Sequence, residues 1–407
     1  MSQKPIYLDC HATTPMDERV FEAMKPYFCD RFGNPSSVHV YGWEAESAVK
    51  QARTIIADAI NANPEEIIFT SGATEANNLA IKGVAEAYFS QGKHIITVTT
   101  EHRAVLDPCQ YLASLGFEVT YLPVQSDGLI DLQQLSLAIR EDTILVSVMA
   151  ANNEIGVLQP LAEIGSICHE HQVLFHTDAA QAIAKIPLDV AKMQIDLMSL
   201  TAHKVYGPKG IGALYIRRRS PKVKIAAQLQ GGGQEKGIRS GTLYPPQIVG
   251  FAKAVELGMG VMETESKYLL QLRGQLWSKL KSLPGIHLNG NLNQRLPGNL
   301  NLSIEGVDGA ALLLGLQQTV ALSSGSACSA ASTAPSHVLT ALGRNKKLAH
   351  ASLRLGIGRF NTTEEIATVA QEVAATIEAL RQANHWQPKE KRNEEISNPA
   401  SAVSGKR

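Results

Sequence analysis

No stretch of this sequence is apolar for long enough to cross a bilayer: the apolar run Ala310 to Leu316 is far short of the ~20 residues that a spanning helix needs. The segment Met1-Ser-Gln-Lys-Pro-Ile-Tyr-Leu-Asp9 lacks the long apolar region of a secretory signal, so a soluble cytoplasmic protein without membrane attachment is expected. Charge of one sign is missing too. Lysine plus arginine (38) equals aspartate plus glutamate (38), so no net field draws the chain to a polyanion, and direct nucleic-acid binding is not expected. Cysteine is scarce and unpaired. Cys10, Cys29, Cys109, Cys168 and Cys328 are an odd number without C-x-x-C spacing, which fits neither a disulfide framework nor a zinc cage and points to a reducing compartment. Length is not lacking: 407 residues at roughly 150 per domain suggest two or three domains.

From about Glu65, short β-rich runs alternate with helical patterns. The runs are Glu66–Thr70, His94–Thr100, Thr143–Met149, Val173–Thr177 and Asp196–Leu200, with helices such as Asn77–Ser90 and Leu161–His171 between them. Continuous apolar strands separated by helices predict a parallel sheet covered on both faces, hence an α/β domain over residues 16–260. A long helix over Met262–Leu283 leads into a smaller α+β domain made of residues 1–15 with 261–386. It holds strands at Asn299–Ser303 and Ala349–Gly356 and helices at Gly309–Gln318 and Thr363–Ala383. Residues 322–334 are small and polar, bury little, and predict a mobile loop. The tail 387–407, with five basic and three acidic residues and no apolar period, is expected to be disordered.

In open parallel sheets, ligands bind beyond the carboxyl ends of the strands. Five polar clusters follow the five runs: Ser71-Gly-Ala73-Thr74, Glu101-His102, Asn152-Asn153-Glu154, Asp178-Ala-Ala-Gln181 and Thr201-Ala-His203-Lys204. The turn before the helix offers the backbone N–H groups of Ala73 and Thr74 to a phosphate, although Ser-Gly before a helix is also ordinary capping. Lys204, ending a strand, suits a Schiff base in a shielded cleft. Asp178 suits a protonated pyridine nitrogen, as pyridoxal 5'-phosphate requires. His102 suits ring stacking or proton transfer, and Gln181 and Asn153 suit hydrogen bonds to a ring oxygen. Arg354, in the small-domain strand, suits a substrate carboxylate by bidentate pairing or, equally, an internal salt bridge.

The chain resembles the cysteine desulfurases of the bacterial IscS/NifS type, class V aminotransferases of pyridoxal-phosphate fold type I. The matching stretches run from Tyr7-Leu-Asp9 to Trp386. They include Ala12-Thr-Thr-Pro15, Phe32-Gly-Asn-Pro-Ser36, Thr70-Ser-Gly-Ala-Thr-Glu75, Asn152-Asn-Glu-Ile-Gly156, His203-Lys-Val-Tyr-Gly-Pro-Lys-Gly210, Arg239-Ser-Gly-Thr242 and Ser323-Ser-Gly-Ser-Ala-Cys328. The resemblance implies a large domain with a mainly parallel seven-stranded sheet. It makes Lys204 the cofactor lysine, Asp178 the ring-nitrogen partner, His102 the stacking and catalytic residue and Gln181 the contact to the ring hydroxyl. Thr74, Thr201 and His203 would hold the phosphate, with Thr242 reaching in from the other subunit of a homodimer. Asn153 and Arg354 would hold the carboxylate of L-cysteine.

Cys328 would take the substrate sulfur as a persulfide, leaving L-alanine. The mobile loop would carry the sulfur to an iron-sulfur scaffold protein and to other acceptors, including those of tRNA thiolation, with Cys328 a transient ligand of iron in the shared complex. A selenocysteine lyase or another class V enzyme is the alternative; a transaminase needs no mobile cysteine. The sequence departs from the family at Cys10-His11, where relatives often have Asn or Tyr followed by a small residue. Beyond harmless packing, Cys10 there could accept sulfur and His11 could shift the pH optimum.

Overall fold

A computed structural model describes residues 4–219, 221–324 and 334–388 of the chain. After the short strand β1 (Ile6–Tyr7) come β2 (Ile67–Thr70), β3 (His94–Val98), β4 (Glu118–Leu122), β5 (Thr143–Ser147), β6 (Leu174–Asp178), β7 (Leu197–Thr201) and β8 (Gly212–Ile216). The last seven form one sheet in the order β2-β8-β7-β6-β5-β3-β4, the mainly parallel α/β sheet that the sequence predicts. Five of them are the apolar runs read above, with β2, β3 and β5 one or two residues shorter and β6 and β7 shifted by one residue, and four of those five are buried along their whole length. The other two escape a reading by apolar runs. Strand β4 lies at the sheet edge and is partly exposed, and β8 begins on a glycine.

Strand direction decides where the polar clusters go. Strand β8 is antiparallel to both β2 and β7, and every other pairing is parallel. Two reversals restore the original direction, so β2 ends at the same sheet edge as β3, β5, β6 and β7, and β8 starts there. The helix after β2 begins at Ala73, directly on the Ser71-Gly72 turn rather than at Asn77, and runs to Ala87.

A second assembly contains β9 (Ile286–Leu288), β10 (Asn299–Ile304), β11 (Val320–Ala321) and β12 (Ser352–Gly356). Strand β10 lies between β9 and β12 in an antiparallel sheet, and β11 pairs with β1. The predicted strand from Ala349 starts only at Ser352. Asn345 caps a helix over Lys346–His350 by accepting from the Leu348 N–H, so its first residues are helical. The closing helix Thr363–Ala383 is as predicted, fixed at its start by the Thr362/Glu365 capping box.

The long helix spans Pro245–Leu280 and starts well before Met262. Two prolines in its first turn pre-set the backbone. Its first half (Ile248, Phe251, Val255) packs into a core with the main sheet, while Leu272, Leu276 and Leu280 pack with β10, β12 and the closing helix. Most of that first half is buried, with only a narrow polar face at Lys253 and Glu256 to mark it as helix. Most of the predicted mobile loop, residues 325–333 with Cys328, and the tail from 389 lie outside the described residues.

One close approach ties the sheet to the turn that follows β2. A Cβ on Gly212 would stand 2.4 Å from the Leu200 carbonyl oxygen and 2.7 Å from Gly72 Cα, both backbone atoms that cannot rotate away. Gly212→Ala is therefore expected to cost about 1–3 kcal/mol, the usual range for overpacking, and to displace the Gly72 turn. Urea unfolding checks the first effect, and unchanged stability would contradict this contact.

Candidate active site

A cavity of about 600 Å³ opens where the five strand ends meet the small domain. Ala73, Thr74, His102, Asn153, Asp178, Gln181, Thr201, His203, Lys204 and Arg354 all line it. Two site residues named from the sequence are not among these. Thr242 is exposed on its own chain, and Cys328 lies outside the described residues. Sequence reasoning did not single out Thr13, Met149 or Lys209, which also line the cavity; Thr13 and Lys209 stood within quoted motifs.

Each side chain is held by its local structure. Asp178 ends β6 and is 5 % exposed. Its carboxylate accepts from Asn77 Nδ2 (2.7 Å) and the Ala180 N–H (2.9 Å) and makes no ion pair among the described residues. His102 caps the helix Arg103–Ser114. Its Nδ1 accepts from the Ala104 N–H at 3.0 Å, so the neutral ring carries its proton on Nε2.

Lys204 follows β7, and its Nζ donates to the carbonyl oxygens of His11 and Ala12, the latter at 2.6 Å. His203 shares a hydrogen bond with Thr13 Oγ1 (3.1 Å). Burial, with Lys204, Lys209 and Lys185 nearby, pushes it down to about 4, so it is neutral at physiological pH.

Arg354 is buried in β12. It pairs with Asp9 (2.8 Å) and donates to the Asn153 carbonyl oxygen (3.2 Å), while its Nε has no partner among the described residues. The internal salt bridge is thus present, and Nε is a buried donor without a partner among the described residues. Ser323, at the start of the predicted mobile loop, donates to the second oxygen of Asp9 (2.7 Å). Beyond the loop, Ser336 donates to Glu154 (2.5 Å), whose carboxyl burial lifts to about 7.

The four described cysteines are free. Cys10 is buried, and burial raises its thiol to about 12, which keeps it protonated and a poor nucleophile. Among the described residues no group of three or more His, Cys, Asp or Glu side chains is placed to hold a metal, and no helix is long and apolar enough to cross a membrane.

The donor set fits pyridoxal phosphate. A buried carboxylate without a cation matches a protonated pyridine nitrogen, an amine stands on the same wall, and a helix N-terminus faces the cavity at Ala73 and Thr74. Fold and site define a class V aminotransferase: residues 6–369 match the family described as aminotransferase class-V, and the chain belongs to that family.

Within it, the similar proteins are cysteine desulfurases of the IscS/NifS type. The chain is 55% identical over 384 residues to the mitochondrial cysteine desulfurase of Arabidopsis thaliana, covering 94% of this chain and 84% of that protein. It is 54% identical over 380 residues to cysteine desulfurase IscS of Ehrlichia chaffeensis, covering 93% and 92%. A solved structure of SspA in complex with cysteine matches with a TM-score of 0.78 at 41% identity, covering 88% of this chain and all of that one.

Beside Asp178, Glu101 is fully buried. One oxygen accepts from the Met149 N–H (2.5 Å), and Oε2 has no partner among the described residues. Burial, then the Asp178 charge, hold its carboxyl well above the ordinary 4.5, so the folded protein keeps a proton that the unfolded chain releases. Its contribution to stability is complete below that ordinary value. It falls as pH rises toward the folded-state value, by about 1.4 kcal/mol per pH unit. Glu101→Gln keeps the acceptor for Met149 and is expected to abolish this slope. Urea unfolding across the neutral range measures it, and identical slopes in both proteins would contradict a protonated Glu101.

Proposed function

We propose that this protein removes sulfur from L-cysteine with pyridoxal phosphate held on Lys204, giving L-alanine and a persulfide on Cys328. The observation that carries the reading is the buried Asp178 carboxylate, without a counter-cation among the described residues, in one cavity with the Lys204 amine. Bound there, the cofactor supplies an electron sink for charge developing at the substrate Cα. Lys204 takes and returns the proton at Cα. Asp178 holds the ring-nitrogen proton, Asn77 and the Ala180 N–H fix its carboxylate, and the N–H groups at the start of the helix after Gly72 bind phosphate with Thr74, Thr201 and His203.

Arg354, with Asn153, would bind the substrate carboxylate. Asp9 and the Asn153 carbonyl hold two of its guanidinium nitrogens and leave Nε as the unsatisfied donor. His102, with its proton on Nε2, is suited to proton transfer to the departing group. The sulfur step balances as one carbon–sulfur bond broken in L-cysteine and one sulfur–sulfur bond formed at Cys328. The Cys328 thiol proton ends on the new persulfide or on alanine. Two equivalents of thiol then release sulfide and restore Cys328.

The exposure of Thr242 outside its own cavity supports a homodimer in which it serves the partner's site. The anchoring of both flanks of the Cys328 loop, at Asp9 and Glu154, supports a loop that delivers sulfur to acceptors such as an iron-sulfur scaffold.

Incubation with L-cysteine and excess thiol is expected to give alanine and sulfide in equal amounts. Lys204→Ala should lower both by at least about 10²–10⁴-fold, the range for a lost general base. Cys328→Ser should stop both products while the cofactor remains bound, because a hydroxyl is a far weaker nucleophile than a thiolate. Alanine formed at the wild-type rate by the serine variant would remove Cys328 from the reaction.

A further inference from the structure

His11, one of the two departures from the family pattern, sits between the cavity and a second group of charged side chains. It is 4 % exposed, and its ring lies against Gly356 of β12. Two contacts join it to Gln181, and a third ties Gln181 to Lys185. The His11 carbonyl oxygen accepts from Gln181 Nε2 (2.8 Å), His11 Nδ1 lies 3.3 Å from Gln181 Oε1, and Lys185 Nζ reaches the same Oε1 at 3.3 Å.

These contacts assign every hydrogen. A carbonyl oxygen can only accept, so the Gln181 NH₂ must face His11 O, and the Gln181 oxygen therefore faces Nδ1 and Lys185. Nδ1 must then carry the imidazole proton, and Nε2 is left without one. Nε2 has no partner among the described residues.

A proton on Nε2 would make a buried cation among cations. Burial first, then Lys185, Arg354 and Lys204, push His11 well below its ordinary value. Around Lys185 stand Cys10, Glu265 and Arg359. Burial lowers Lys185 to about 8, and either protonation state of that amine still donates to the Gln181 oxygen. The arrangement is thus locked across the neutral range.

An amide has two donor hydrogens and an oxygen with two lone pairs. In Gln181 both lone pairs and one hydrogen are committed. We propose that His11 is a positioning residue, which with Lys185 saturates the Gln181 oxygen so that Gln181 offers the cavity one N–H donor and no acceptor. The inference rests on the cofactor reading above. Toward a pyridoxal ring oxygen, an N–H donor stabilises the ionised form, whereas a carbonyl turned the same way would require the protonated form. His11 therefore sets the polarity of a contact it does not itself make. Without the imidazole, the residue-11 carbonyl and Lys185 still hold the amide, but one lone pair of the Gln181 oxygen is released, and the terminal torsion, which has a broad two-fold profile, fixes the donor less firmly.

The test is a pH titration of the visible absorption of the cofactor-loaded protein. Losing the fixed donor makes the ring oxygen more basic, so His11→Ala is expected to move the absorbance transition up by about one pH unit, the size of one hydrogen bond to a charged group. His11→Phe keeps the ring volume and should do the same, which covers an alanine variant that fails to fold. His11→Asn, whose Nδ2 can stand where Nδ1 stands, should restore the transition. Gln181→Leu should shift it by a similar amount, and adding His11→Ala to that variant should shift it no further.

An unshifted transition in both His11→Ala and His11→Phe, or additive shifts in the double variant, would overturn the inference. A wild-type protein that takes up no pyridoxal phosphate would instead overturn the cofactor reading, and this inference with it. Equilibrium dialysis of the wild type separates that outcome from the others.

Discussion

A carboxylate buried without a cation is among the costliest groups a folded chain can keep. Asp178 is such a group, at the carboxyl end of a central strand, where two neutral donors stabilise the charge without cancelling it. Much of the surrounding structure follows from tolerating it. Asn77 is buried on the helix after the Gly72 turn, and so spends its amide on Asp178 rather than on solvent. Glu101, close by, has its carboxyl held well above the ordinary value, by burial first and then by the Asp178 charge. The amine of Lys204 is drawn to the carbonyl oxygens of His11 and Ala12 and makes no ion pair with Asp178. Among the described residues no cation pairs with Asp178, so the cavity offers its carboxylate to a positively charged group.

The small domain enters this arrangement through one side chain. Arg354 spans from β12 to the loop after β5 and to Asp9, and Asp9 also holds Ser323. A carboxylate arriving at Arg354 competes for the same guanidinium that Asp9 now holds. With Arg354 as the proposed substrate contact, substrate binding and the near flank of the Cys328 loop would share one aspartate. Glu154 holds the far flank through Ser336, and it adjoins Asn153 in the chain. Both flanks of the loop are fastened to residues next to those assigned to the substrate carboxylate.

Local signals carried a large part of this to the reader of the sequence. The five buried strands are continuous apolar runs, and the rule that ligands gather beyond strand ends picked out Thr74, His102, Asn153, Asp178 and Lys204, which line one cavity. The rest depends on pairings that no window can contain. Strand β8, which reverses direction twice over and so brings β2 to the common edge, starts on glycine. The first half of the helix Pro245–Leu280 is mostly buried, and its polar face is as narrow as Lys253 and Glu256. Gln181 and His11 are 170 residues apart, and Arg354 and Asp9 are 345 apart. Cys10 and His11 stood out as departures, but only burial shows that the thiol is inert and the imidazole locked.

The helix Pro245–Leu280 has a mechanical meaning. At 36 residues it is a rod about 54 Å long, and its two halves are embedded in different apolar cores. Unravelling either core strips the apolar side chains from half of the rod. The helix that remains then projects from the surviving core with its inner face wet. Each of these two cores thus supports the other through the shared helix, an arrangement that favours losing both in one cooperative event.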